Sequence, residues 1–244
     1  MIGTQTIGNA TLIAYDDKPI LSTDPWLGAE DYAYFGSWKM EFNIPDNFKK
    51  DMTSSKYIFF SHGHPDHLNP DSLHNFKNST ILLGDHVGGR IYNDLTNQGF
   101  KTSILPERKW TKLSDNVSVM GISTKIQDTI LLVRVNNDIF INLNDAGPYH
   151  TRFIKKICKP FKRKFLLSIS GWGDADMINF YDHNDKFIEP LAAKKHPVGD
   201  YLSLVAKTYD ANYVIPFSSF HEYQREDSVW ANKYVTPIHE YKNG

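Results

Sequence analysis

Tyr57-Ile58-Phe59-Phe60-Ser61-His62-Gly63-His64-Pro65-Asp66-His67-Leu68 is the stretch on which the reading of this chain turns. Its first four residues are apolar and aromatic and predict a short buried strand. Three histidines and one aspartate then fall within residues 62–67, out of ten histidines in the whole chain. A strand that stops in His-x-His-x-Asp-His presents imidazole and carboxylate donors on a loop at its C-terminal end. Such a donor set suits zinc, iron or manganese. A surface loop that is histidine-rich by chance is the bland alternative, and the density of donors argues against it.

Two distant segments repeat the pattern of a strand followed by a donor. Asp138-Ile139-Phe140-Ile141-Asn142-Leu143 reads as a strand and runs into Asn144-Asp145-Ala146-Gly147, which places a carboxylate at a strand end. The plainer alternative for Asp145 is a cap on the following helix. Val214-Ile215-Pro216-Phe217-Ser218-Ser219-Phe220-His221 is a strand, a polar turn and a histidine. A core or surface histidine is the alternative there.

The His62–His67 motif resembles the signature of the metallo-β-lactamase-fold superfamily. That resemblance implies an α+β fold, a four-layer αβ/βα sandwich with the metals at one edge, here as one domain over residues 1–244. It further implies that His62 and His64 bind one metal and that Asp66 and His67 bind a second. Asp145 would bridge the two, and His221 would complete the second site. The family supplies a third histidine to the first site, but this chain reads Ser123-Thr124-Lys125-Ile126-Gln127-Asp128-Thr129 there. Asp128 is the candidate replacement as an oxygen ligand, Gln127 a poorer one, and His86 a third from a neighbouring strand end. A site poorer in nitrogen shifts preference from zinc toward iron or manganese.

Leu21-Ser22-Thr23-Asp24-Pro25-Trp26-Leu27 is similar to the opening of the lactonase-like and phospholipase-D-like branch. There the Asp-Pro turn supports the metal loop, which makes Asp24 a candidate to hydrogen bond a metal-binding histidine. A simple Asx turn before Pro25 is the alternative. Segments 61–70, 127–133, 141–146, 218–232 and the loop Ser170-Gly171-Trp172-Gly173 are similar to the metallo-β-lactamase-like part of CMP-N-acetylneuraminate hydroxylase. That family also carries a Rieske cluster on Cys and His pairs. With Cys158 as its single cysteine, this chain cannot hold one.

The expectation is a metal-dependent hydrolase with Zn2+, one ion or two, and a metal-bound hydroxide acting on an ester, lactone or phosphodiester, sugar and nucleotide derivatives included. Asp66 would also orient the water or accept its proton. The alternative is an iron-dependent oxidoreductase on the same fold, acting on a nucleotide sugar or small metabolite, with Fe or Mn in place of zinc. A scaffold that binds without catalysis is a third reading, disfavoured by the near-complete donor set. The partner expected is a small molecule, phosphorylated or sugar-nucleotide compounds among them, with Arg225, Lys194 and Lys195 as candidate anion holders.

Composition narrows the rest. A formal net charge of -1 gives no general case for nucleic acid as a partner. The basic run from Lys155 to Lys164 reads as a solvated helix end, with an anion-steering patch as the alternative. One cysteine rules out an intramolecular disulfide, and Cys158 reads as inert packing. No basic segment followed by an apolar run opens the chain, and no apolar run approaches the ~20 residues of a membrane span. A cytoplasmic protein without a membrane span is expected. Thr11–Tyr15 and Pro19–Thr23 predict a hairpin about Asp16-Asp17-Lys18. Residues 29–54, rich in aromatics, read as an irregular lid or substrate wall.

Overall fold

The computed structural model describes residues 1–28, 30–169, 181–188, 198–218, 220–237, 239 and 241. The Ser170–Gly173 loop, Lys194 and Lys195 lie outside the described residues.

One sheet is ordered β1-β2-β3-β5-β6-β7. Its strands are β1 (Ile2–Ile7), β2 (Thr11–Asp16), β3 (Lys18–Thr23), β5 (Tyr57–Phe60), β6 (Thr80–Leu83) and β7 (Lys101–Ile104). The second is ordered β13-β12-β11-β10-β9-β8, with β8 (Thr111–Lys112), β9 (Val117–Ser123), β10 (Thr129–Val135), β11 (Asp138–Asn144), β12 (Arg163–Ile169) and β13 (Tyr213–Phe217). A small pair joins β4 (Trp38–Met40) to β14 (His221–Tyr223). The helices are α1 (Asp46–Ser54), α2 (Pro70–Leu73), α3 (Arg90–Asn97), α4 (Thr151–Cys158) and α5 (Val198–Tyr209).

The layering follows from side-chain alternation. On β5, Phe59 faces the space between the sheets with Leu12, Leu82, Val119, Leu131 and Val133. Ile58 and Phe60 face outward, where Met52 of α1 and Leu95 of α3 join the cluster. On β10, Leu131 and Val133 point inward, while Ile130 and Leu132 pack outward with Ile154 and Cys158 of α4 and Val205 and Tyr209 of α5. Both faces of each sheet are therefore covered, which explains why the central strands read as unbroken apolar runs. The α+β four-layer sandwich expected from the sequence is the observed architecture.

Strand direction gathers one end of both sheets. β3, β5, β6 and β7 are parallel, as are β11, β12 and β13. Asp24 follows β3, the His62 loop follows β5, Asp145 follows β11 and Ser218 follows β13. β10 runs antiparallel to β11, so Asp128, just before it, reaches the same edge.

Three features of the fold depart from the sequence pattern. Residues 29–54 are not irregular throughout, since they contain β4 and α1. The first strand, β1, has no clear alternation and is legible only through its antiparallel pairing with β2. The sequence reads as a helix start at Val87, but α3 begins at Arg90, because Gly88 and Gly89 take left-handed φ of 79° and 57°.

Candidate metal centre

His62 is buried, and His64 is exposed at the mouth of the site. His62 Nε2 and His64 Nδ1 are 2.8 Å apart, and His62 Nε2 lies 3.9 Å from Asp145 Oδ2. Ligand atoms of His62, His64 and Asp145 all fall within 4.8 Å of one another, close enough to share one ion. His67 forms the second focus. Its ring is fully buried, with Nε2 at 3.2 Å from Asp66 Oδ2 and 3.4 Å from Asp145 Oδ2. Asp145 thus reaches both clusters. Asp128 Oδ1 lies 3.6 Å from His62 Nδ1, the ring nitrogen other than the one facing His64 and Asp145. His86 is engaged elsewhere: its Nε2 is 2.7 Å from Thr129 Oγ1. Gly84 is needed beneath it, since a Cβ there would collide with Thr129 Oγ1.

His221 is buried and stacks on Trp38, with centroids 3.5 Å apart and planes at 4°. It faces Asp66 and Asp145, whose charges act on it. Tyr34 packs on Trp38, and its hydroxyl donates to Asp66 Oδ1 at 3.2 Å. The aromatic segment is therefore a wall of the site, clamped by β4–β14 pairing.

Asp24 sits beneath the loop. Its backbone is left-handed, φ 39°, and its side chain is fully buried. Oδ1 accepts from Ser61 N at 2.8 Å, Oδ2 accepts from Asn144 Nδ2, and Oδ2 lies 3.6 Å from His67 Nδ1. Asn144 is aimed there by a bulge between Asn142 and Asn144 and by its own φ of 51°. Ser218, φ 59°, donates from Oγ to Asp145 Oδ1 at 3.0 Å. Left-handed geometry costs on the order of 1 kcal/mol at such a residue, and it recurs here at three strand ends that face one centre.

The electrostatics are those of a crowded anionic pocket. Burial, then repulsion from Asp145, pushes the Asp128 carboxyl up to about 8. Burial likewise opposes charge on Asp66 and Asp145, but His67 and His62 hold both below the usual carboxylate range. Burial opposes a charged His67 as well, yet Asp66 and Asp145 raise it well above an ordinary imidazole. Burial drives His62 down to about 3 and His221 to about 4. Neutral His62 and His221 beside ionised Asp66 and Asp145 match the protonation states that cation binding requires, whereas His67 and Asp128 would each release a proton on binding one.

Asn9 is a contributor that the sequence did not reveal. Its Nδ2 reaches Asp66 O at 3.3 Å and Asp66 Oδ2 at 3.2 Å. The roles of Asn144 and Ser218 were likewise hidden, because each acts through tertiary contact rather than motif. Arg225, a candidate anion holder, is engaged by Asp227. In the basic run, Lys155 pairs with Asp210 and Arg163 with Asp138, in keeping with a solvated surface.

No model of a known protein family matches the chain. A Mycolicibacterium smegmatis protein provisionally described as a Rieske 2Fe-2S iron–sulfur protein is 27% identical over 158 residues, 59% of this chain and 29% of its own length. This chain therefore spans less than a third of that relative. Among solved structures, an isothiocyanate hydrolase from Delia radicum gut bacteria superimposes with a TM-score of 0.56 at 12% identity, covering 98% of this chain and 93% of its own. CmlA, a diiron β-hydroxylase from Streptomyces venezuelae, gives 0.55 at 12% identity, covering 88% and 44% respectively. This chain spans under half of CmlA. The metallo-β-lactamase-fold protein YhfI from Bacillus subtilis gives 0.51 at 10% identity, covering 95% and 86%. The chain has the metallo-β-lactamase fold, as its histidine motif implied. Among the described residues, no helix is long and apolar enough to cross a membrane.

Proposed function

We propose that this chain is a metal-dependent hydrolase of small esters, lactones or phosphodiesters. His62, His64 and Asp145 would hold one ion, and Asp66, His67 and His221 a second, with Asp145 shared and Asp128 beside His62. The observation that carries this reading is His67. Its ring is fully buried, neither nitrogen makes a hydrogen bond, and carboxylate oxygens of Asp24, Asp66 and Asp145 surround it. Buried imidazole nitrogens whose contacts lack hydrogen-bond geometry carry part of a cost of roughly 1–3 kcal/mol, and a cation among them would offset it.

A bound cation would lower the pKa of a water toward neutrality and polarise a carbonyl or phosphoryl oxygen. The chain's own groups do the rest. Asp66, held by Asn9 and Tyr34, is the ionised carboxylate placed to orient a water or take its proton. His64 stands exposed at the entrance, where substrate arrives. The Tyr34–Trp38 wall limits access of bulk water to that side.

The test is turnover of an aryl ester, a lactone and an aryl phosphodiester by zinc-loaded protein, lost on chelation and regained with zinc. Full zinc occupancy with no turnover of any of these contradicts it. One observation favours a second reading, an iron-dependent oxidoreductase. Asp128, 3.6 Å from His62, would add an oxygen donor in place of a nitrogen one and so make the donor set rich in oxygen. The iron–sulfur description of the M. smegmatis relative and the diiron description of CmlA support the same reading. Iron with visible absorption in purified protein, and oxidation of a small metabolite with an added reductant, would establish it.

A further inference from the structure

Asn9 lies at the end of the β1–β2 turn, far in sequence from every candidate ligand, yet is 1% exposed in the centre of the site. Its side-chain amide, side-chain oxygen and main-chain carbonyl are all directed at site segments. Nδ2 donates to the main-chain oxygen and to Oδ2 of Asp66, at 3.3 and 3.2 Å. Oδ1 accepts from Phe220 N at 2.9 Å, the residue before His221. Its carbonyl accepts from Ser218 N at 2.8 Å, and Ser218 in turn holds Asp145 Oδ1. One side chain thus ties the metal loop to the C-terminal arm. Among the described residues that arm has no strand pairing to the first sheet, and β14 pairs with β4.

We infer that Asn9 is a positioning residue that sets Asp66 against His221 and so determines affinity for the ion held through Asp66, His67 and His221. This rests on the metal reading proposed above. Asp66 and His221 come from opposite halves of the chain, and their separation is set by the Tyr34–Trp38 pair together with Asn9. The amide acts on both, because a donor and an acceptor on one rigid plane bond one partner on each side. Partners of this kind, which orient ligands without touching metal, are worth about 10–100-fold in affinity.

The test is a zinc competition titration with the Co2+ visible spectrum as a second readout, on wild type, Asn9→Ala, His67→Ala and the double variant. Asn9→Ser, which leaves a small polar group too short to bridge both partners, replaces Asn9→Ala if alanine impairs folding. The expected result is a fall of about 10–100-fold for one ion, a changed cobalt spectrum and a native thermal melt. In the His67→Ala background, Asn9→Ala should change the remaining ion by less than about threefold, because both act on the same ion. Wild-type affinity in a folded Asn9 variant overturns the role of Asn9 alone. An equal loss in both backgrounds overturns it too, since the effect is then general. A wild type that binds no metal overturns the metal reading and this inference together.

Discussion

The rim of the site on the first sheet is compact in sequence, whereas the rim on the second sheet is scattered. On the first, His62, His64, Asp66 and His67 occupy one turn after β5, and a single buried carboxylate, Asp24, braces it through Ser61 N. On the second, Asp128, Asp145 and Ser218 come from three separate strand ends, and His221 from an arm beyond them. The first rim is fixed by parallel pairing of β3 with β5, which aligns Thr23 with Phe59. The second needs a bulge, two left-handed residues and long-range hydrogen bonds to aim its groups. Local sequence can supply donors, but their convergence is a product of the packed sheets.

That contrast can be broken by substitution, most severely at the residue the two rims share. Asp145→Ala should weaken ion binding by more than about 100-fold, beyond the 10–100-fold typical of an outer partner, because both His62 and His67 lose it. Isothermal titration with zinc would show this, and an unchanged affinity would separate the rims. Asp24→Asn is next. Its amide would set a donor against Asn144 Nδ2, so about 1–3 kcal/mol of stability and roughly tenfold in ion affinity should be lost together. Thermal melts with and without zinc would report both.

Asp128→Asn should move the two quantities in opposite directions. Removing a buried carboxyl that Asp145 repels should stabilise the metal-free protein by about 1 kcal/mol, while ion affinity falls by roughly tenfold. A parallel loss of stability would assign Asp128 to the scaffold instead. The smallest effect belongs to Cys158. It is fully buried among α4 and α5 residues, and burial pushes its thiol up to about 12. Alkylation at about pH 8 should be negligible in native protein and complete in denaturant. Ready native labelling would contradict the packing described for the outer face of the second sheet.

The legibility of the chain follows the same division. The central strands β5, β10 and β11 were readable because two-sided burial forces runs such as Thr129–Val135; Asn69 before Pro70 has the form of an N-cap, and its carboxamide oxygen accepts from Asp71 N and Ser72 N. The missing third histidine drew attention to the 123–129 turn, and Asp128 of that turn lies 3.6 Å from His62. β1, β7 and β14 were not readable. Ile2–Ile7 is half exposed without alternation, and His221–Tyr223 is a strand only because Trp38–Met40 pairs with it. Asn9 was invisible for a similar reason: an asparagine after a glycine turn looks like turn chemistry until Phe220 and Asp66 close around it.

The most direct test of the account is elemental analysis of protein purified without added metal or chelator, with His67→Ala alongside. The account predicts stoichiometric metal in the wild type, roughly one or two ions per chain, and clearly less in the variant. Its identity, zinc or iron, decides between the hydrolytic and oxidative readings. No metal in either protein, at unchanged stability, would contradict the claim that these buried histidines and carboxylates form a metal centre.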